Sequence, residues 1–329
     1  MSTPQSVFLL GPGFVGQHVL DNLVAAGHRV TTMVRNPDAA TTMSKTGVKT
    51  ILGTLDDLDK ITAQAAQHAI VINTSSSDHP PSVEAILAGV RQRVHQNLPT
   101  TFIHTSGAGL FLDEAKGTYK SDKIYSDDNP ADIDALPPTA LHRNVDLLIV
   151  QAARELGNKA RIAIIIPPVV YGFNPAHKRL SMALPVLVRF ALKHGFSGRV
   201  NEGRNVWSGV HVADLGRAYM TLLAGLDTCV PSVHENPYFF ADSGVEFSWA
   251  EAADRVGQIL HGLGKIESAE TRAFGRDELD DVFGPLTEFV AGGNARSVSR
   301  RLPEMGWVPR EKGIWESLEE DEIPYMVSL

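Results

Sequence analysis

Three glycines mark the first place where this chain can do chemistry. Gly11, Gly13 and Gly16 stand in Leu10-Gly11-Pro12-Gly13-Phe14-Val15-Gly16, after an apolar run and before a stripe of helical spacing. Gly11 permits a tight turn, Gly13 lets the backbone approach a pyrophosphate, and Gly16 lets helix and strand pack closely. The N–H groups that open the helix, at Phe14 and Val15, then face the phosphates with the positive end of the helix dipole. This arrangement implies a bound dinucleotide. The next apolar run ends Met33-Val34-Arg35-Asn36-Pro37, with no Asp or Glu for the ribose hydroxyls. Arg35 instead offers a guanidinium suited to a 2′-phosphate, with Asn36 beside it. NADP(H) is therefore expected over NAD(H); the competing reading of Arg35 is a surface arginine capping a turn. The 12 histidines show no HExxH or paired-ligand spacing, so no metal is expected. A single cysteine, Cys229, excludes an intrachain disulfide and reads more readily as a buried thiol than as a nucleophile.

The elements that must position these residues follow from periodicity. Residues 7–10, 29–34, 49–52, 69–73, 101–104 and 161–166 are short, β-branched runs that predict strands. Helical patterns lie between them at 14–26, 57–67, 83–96 and 145–156, and Val15, Val19, Leu23 and Ala26 form one stripe on the first. Such alternation predicts an α/β fold, a doubly wound parallel sheet of the Rossmann type. The second half is less regular. A helix is expected over 184–194, ended by Gly195, and a Ser248-to-Glu251 capping box opens another through Leu260. The expected division is a nucleotide domain over 1–172, with 207–227 returning to it, and a smaller C-terminal substrate-binding lobe from 173–206 and 228–329.

Charge narrows the partners. Against 30 Lys and Arg stand 38 Asp and Glu, a net charge of −8, with no basic cluster for nucleic acid or an anionic membrane. The apolar run 162–170 is broken by Pro167-Pro168 and cannot span a bilayer, and residues 6–10 are too short for a signal-peptide core. A cytoplasmic protein with a small-molecule substrate is expected.

The chain resembles the short-chain dehydrogenase/reductase superfamily, in its extended and atypical branch that includes the NAD-dependent epimerase/dehydratase-like proteins. Besides the glycine turn, the resemblance rests on Phe102-Ile103-His104-Thr105-Ser106-Gly107, Pro167-Pro168-Val169-Val170-Tyr171-Gly172, Val210-His211-Val212-Ala213-Asp214 and the late Met305-Gly306-Trp307-Val308-Pro309. These are similar to the family's strand-five segment, its "RPxxVYG" turn beside the nicotinamide, its "VHVDD" segment and its "LGWxP" end. The resemblance implies cofactor contacts from Thr74, Ser75 and Ser76, from Thr105, and from Pro167, Pro168 and Val169. It implies substrate contacts near Gly107, Tyr171, Asn174 and Trp207, although a tryptophan there also suits core packing. The family's adenine-contacting "DL" appears as Thr54-Leu55, without the acid. Pairing through two helices is common in the family, so a monomer or a homodimer is expected.

The family's oxidoreductases use Ser/Thr, Tyr and Lys, the last two spaced YxxxK. Aligned on strand five, Gly107 takes the serine slot, with Ser106 just before it. Counted back from Pro167-Pro168, the YxxxK positions fall on His142 and Asp146. An imidazole can carry a proton near neutral pH, and Asp146, one helical turn on, can orient it. The pair can equally be a helix-start feature. A YxxxK does occur as Tyr119-Lys120-Ser121-Asp122-Lys123, but before the proline breaks at Pro130 and Pro137-Pro138 rather than on the helix leading to strand six. Tyr119, Lys123 or Tyr125 can still reach the mouth of a site from that loop. Three functions are consistent with these residues: an NADP(H)-dependent oxidoreductase acting on a small carbonyl or alcohol, a cofactor-binding isomerase, epimerase or lyase, and a non-catalytic NADP sensor resembling the nitrogen-metabolite-repression regulators.

Overall fold

The computed structural model describes residues 4–229 and 232–329. Its main elements are β1 (Ser6–Leu10), α1 (Phe14–Ala25), β2 (Arg29–Val34), α2 (Pro37–Ser44), β3 (Lys49–Leu52), α3 (Leu58–Gln67), β4 (Ile70–Asn73), α4 (Pro80–His95) and β5 (Thr101–Thr105). There follow α5 (Arg143–Leu156), β6 (Arg161–Ile166), β7 (Val169–Tyr171), α6 (Ala183–His194), β8 (Val206–His211), α7 (Val212–Gly225), β9 (Tyr238–Phe240), β10 (Val245–Ser248) and α8 (Trp249–Gly262).

Seven of these strands form one parallel sheet in the order β9-β6-β5-β4-β1-β2-β3. Successive side chains on a strand point to opposite faces, and this sheet is buried on both except at its edge strand β3, which is only partly covered. Phe8 and Leu10 pack with Ile61 of α3, Val83 of α4 and Ile149 of α5. Val7 and Leu9 pack on the other side with Val19 and Leu23 of α1 and Leu215 of α7. This is the doubly wound architecture expected from the alternation. Leu10 is in register with Met33 and with Asn73, and Asn73 with His104. Four strands therefore end in step, and the loops that leave them share the edge where ligands of such sheets bind.

Among the elements outside the expectation are α2 and β9. Asn36 caps α2, its Oδ1 accepting from the Asp38 N–H at 2.7 Å, with Pro37 as the first helical residue. The edge strand β9 lies within 228–329, the segment expected in the smaller lobe. Within 173–329, α6 packs on α8. Strands β10, β8 and β7 form a small sheet in the order β10-β8-β7. From β8 the chain returns through α7, which packs on α1. Cys229 is half-buried, and burial pushes its thiol up, away from a reactive thiolate. Among the described residues, no helix is long and apolar enough to cross a membrane.

Candidate functional site

The glycine turn is shaped as its residues require. Gly11 has φ +96°, a left-handed conformation, and a Cβ there would overlap the Ser75 backbone. A Cβ on Gly16 would overlap the Gly11 carbonyl oxygen and Thr74 Oγ1. A Cβ on Gly13, by contrast, would point into open space, with the nearest atom 4.0 Å away. No side chain caps α1, so the leading N–H groups, from Phe14, Val15 and Gly16, are left for an outside acceptor. Thr74 fastens the loop after β4 to the turn, its Oγ1 donating to the Gly11 carbonyl at 2.7 Å. An open cradle facing uncapped N–H groups fits a pyrophosphate.

A cleft of about 660 Å³ extends from this cradle across the ends of β1 to β4. Gly13, Arg35, Thr54, Leu55, Thr74 and Ser75 are among its lining residues. Arg35 is exposed and makes no hydrogen bond or ion pair among the described residues, so its guanidinium is available to an anion. The Asn36 side chain is occupied as the α2 cap, which restricts its part in the cleft to backbone and shape. Several lining residues escaped the sequence reading, among them Asp56, His79 and, delivered from beyond the nucleotide domain, Arg179.

Beside the cleft, the ends of β4 and β5 and the start of α5 bring polar groups together. Asn73 is fully buried; its Oδ1 accepts from the Ser75 N–H at 3.1 Å, and its Nδ2 faces His104 Nδ1 at 3.1 Å. Burial and the nearby His142 push His104 down to about 3, so it is neutral at pH 7. With that amide orientation, Nδ1 of His104 accepts and its proton sits on Nε2. Thr105 Oγ1 donates to the Asn73 carbonyl at 2.8 Å, so it braces the strands. The Ser76 hydroxyl accepts the Asp78 N–H at 3.1 Å and shapes the following loop.

The structure brings Ser106, His142 and Asp146 together but pairs them differently from the expectation. His142 is not oriented by Asp146. Its backbone is left-handed, φ +68°, just before α5, and this turns the ring off the helix face. Nδ1 of His142 instead meets Asp78 Oδ1 at 2.8 Å, and that hydrogen bond holds the Asp78 carboxyl below its usual range. Nε2 lies over the chain after β5: a Cβ on Gly107 would sit 3.3 Å from it, and one on Gly109 3.1 Å. Both glycines make room for the imidazole. Asp146 is fully buried and accepts from Ser106 Oγ at 2.8 Å. Burial pushes its carboxyl up to about 7 against that hydrogen bond. Ser106 is buried too, its hydroxyl turned inward to α5 rather than out to a ligand.

Other expected site residues are placed elsewhere. Tyr119 and Lys123 lie on a loop, not a helix, and are held by different partners. Tyr119 is half-exposed and its carbonyl accepts from Asn294, whereas Lys123 Nζ bonds Asp132 at 2.5 Å and lies over the Tyr125 ring. The YxxxK spacing therefore builds no tyrosine–lysine pair, because an irregular loop does not hold residues four apart on one face as a regular element does. Trp207 is a packing residue: it is buried, and its Nε1 donates to the Gly293 carbonyl at 2.9 Å. Tyr171 is likewise buried, donating to the Lys312 carbonyl at 3.1 Å. Asn174 bonds His18 of α1 at 2.9 Å, so its amide is committed within the chain. Pro167, Pro168 and Val169 are buried beside the Ser106 loop, where the Pro167 carbonyl accepts from the Ala108 N–H at 2.9 Å.

Comparison with known proteins agrees with this geometry. Residues 11–128 match a family described as NAD(P)H-binding. The chain is 26% identical to an oxidase, ucsJ, from an Acremonium species over 326 residues, covering 93% of each. Its fold is similar to that of a UDP-glucose 4-epimerase from Thermotoga maritima, at TM-score 0.66 and 14% identity, covering 98% of this chain and 99% of that one. It is also similar to the yeast methylglyoxal/isovaleraldehyde reductase Gre2, solved with NADPH, at TM-score 0.63 and 12% identity over 98% of both chains. Residues 11–128 thus match an NAD(P)H-binding family, and the whole chain shares the fold of this epimerase and this reductase.

Proposed function

We propose that the protein is an NADP(H)-dependent oxidoreductase that interconverts a small carbonyl compound and its alcohol, with His142 as the proton carrier. The observation that carries this reading is the placement of His142. A non-glycine residue in a left-handed conformation is strained, and such strain clusters at working sites. Here it sets one ring nitrogen on a carboxylate and directs the other over a glycine strip at the ligand-binding edge of the sheet. A reduced dinucleotide held at the glycine turn and Arg35 would supply the hydride. His142 Nε2 supplies the proton to the oxygen and is reprotonated from water, which reaches the ring past the half-exposed Asp78. Ser106 and Asp146 are positioning residues: their hydrogen bond pins the first turn of α5 to the end of β5 and so sets where His142 stands. Arg35 receives the 2′-phosphate.

One observation favours a second reading, a dinucleotide sensor. The 660 Å³ cleft is lined from the glycine turn to Ser75 and His79, and none of Ser106, His142 or Pro167 lines it. Turnover separates the two. Wild-type protein with NADPH and a panel of small aldehydes and ketones should oxidise the cofactor, and Arg35→Ala should weaken NADPH relative to NADH by about ten- to a hundredfold, the worth of a charge-assisted hydrogen bond. Binding without turnover across the panel would mark a sensor. Substrate conversion without net cofactor oxidation would mark an isomerase or lyase. An unchanged cofactor preference in Arg35→Ala would remove Arg35 from the 2′-phosphate.

A further inference from the structure

Past Tyr171 the chain makes a short antiparallel hairpin, in which Arg179 pairs with Asn174 and Leu180 with Phe173. This hairpin is fastened to the nucleotide domain rather than hanging free. Asn174 Nδ2 meets His18 Nε2 of α1 at 2.9 Å, and His177 Nε2 meets Asp21 Oδ2 of α1 at 3.1 Å. The Phe173 ring stacks on Tyr325, with centroids 4.4 Å apart. These ties put Arg179 on the wall of the cleft that Arg35 also lines. Both guanidiniums are exposed, and neither has a hydrogen bond or ion pair among the described residues. In a chain with 38 acidic residues against 30 basic ones, two unpaired arginines on one cleft are conspicuous. An anion in that cleft can take charge-assisted hydrogen bonds from guanidiniums that have no partner among the described residues.

We infer that Arg179 is a second phosphate ligand for the dinucleotide, brought over the cleft by the 173–180 hairpin as a clasp anchored on α1. This rests on the dinucleotide reading above and adds to it a ligand from outside the nucleotide domain. The guanidinium fork matches two phosphate oxygens at once, which an ammonium does not. The cofactor offers two sources of that chemistry, the 2′-phosphate and the pyrophosphate.

Equilibrium titration of wild type, Arg179→Gln and Arg179→Lys with NADPH and with NADH tests the inference. A thermal melt of each variant verifies folding, which an exposed, unpartnered side chain should not affect. Arg179→Gln should weaken NADPH about tenfold, with Arg179→Lys between it and wild type. Loss for NADPH alone supports the inference and assigns the 2′-phosphate. Equal loss for both cofactors supports it and assigns the pyrophosphate. Unchanged affinity for both cofactors in a folded Arg179→Gln would overturn it. Failure of wild type to bind either cofactor would instead bring down the dinucleotide reading on which it rests.

Discussion

Asp146 shows how a buried carboxyl both holds a site together and sets a pH limit on the fold. An aspartate in an unfolded chain titrates near about 3.9. Burial raises Asp146 to about 7 in the fold, so the folded chain holds this proton more tightly than the unfolded one. Its stabilising effect is complete below the unfolded value and is lost as the pH rises through about 7. Asp146→Asn keeps an oxygen for Ser106 and removes the titration. The melting temperature of the variant relative to wild type should climb between about pH 4 and pH 7 and level above, by several degrees if the cost is on the order of 1–2 kcal/mol. A flat difference would show that Asp146 titrates normally. Counting back from Pro167-Pro168 singles out His142 and Asp146 in the sequence. Their partners were not legible there. The left-handed turn at His142 leaves no mark in its residue type, and Asp78 reaches it from 64 positions away. Arg179 carried no signal either, because only the folded hairpin places it on the cleft.

At the scale of elements, the turn between β1 and α1 has the tightest requirements. A Cβ on Gly16 would meet a backbone carbonyl and a threonine hydroxyl already bonded to that carbonyl, neither free to give way. Gly16→Ala should therefore push α1 away from β1. We expect a loss of about 1–3 kcal/mol in denaturant unfolding and a marked loss of NADPH binding, whereas Gly13→Ala should fold like wild type and lose only binding. Gly16→Ala with wild-type stability and affinity would contradict this account of the turn. Six strands of the main sheet are legible as short apolar or β-branched runs; five are buried on both faces, and the edge strand β3 is only partly covered, with Leu52 exposed. The edge strand β9, Tyr238–Phe240, is not legible, because it is only three residues long. The YxxxK spacing misled for a related reason: spacing implies a shared face only on a regular element, and Tyr119 to Lys123 is a loop.

For the whole molecule, the sheet order and the in-step strand ends place the glycine turn, Arg35, the Thr74–Ser75 loop, Ser106 and His142 along one edge. That edge was legible from strand–helix alternation, because connectivity alone fixes where a parallel sheet presents its loops. The division between domain and lobe was less so, since β9 and the buried Trp307 both close on the nucleotide domain from late in the chain. The central claim is that His142, not a tyrosine, moves the proton at this edge. The direct test is the rate of NADPH oxidation at saturating carbonyl substrate for wild type, His142→Gln and Tyr119→Phe, with NADPH affinity measured alongside. We predict that His142→Gln loses about 10²- to 10⁴-fold in kcat with unchanged NADPH affinity, and that Tyr119→Phe stays close to wild type. Full turnover in His142→Gln, or a collapse in Tyr119→Phe, would contradict the account.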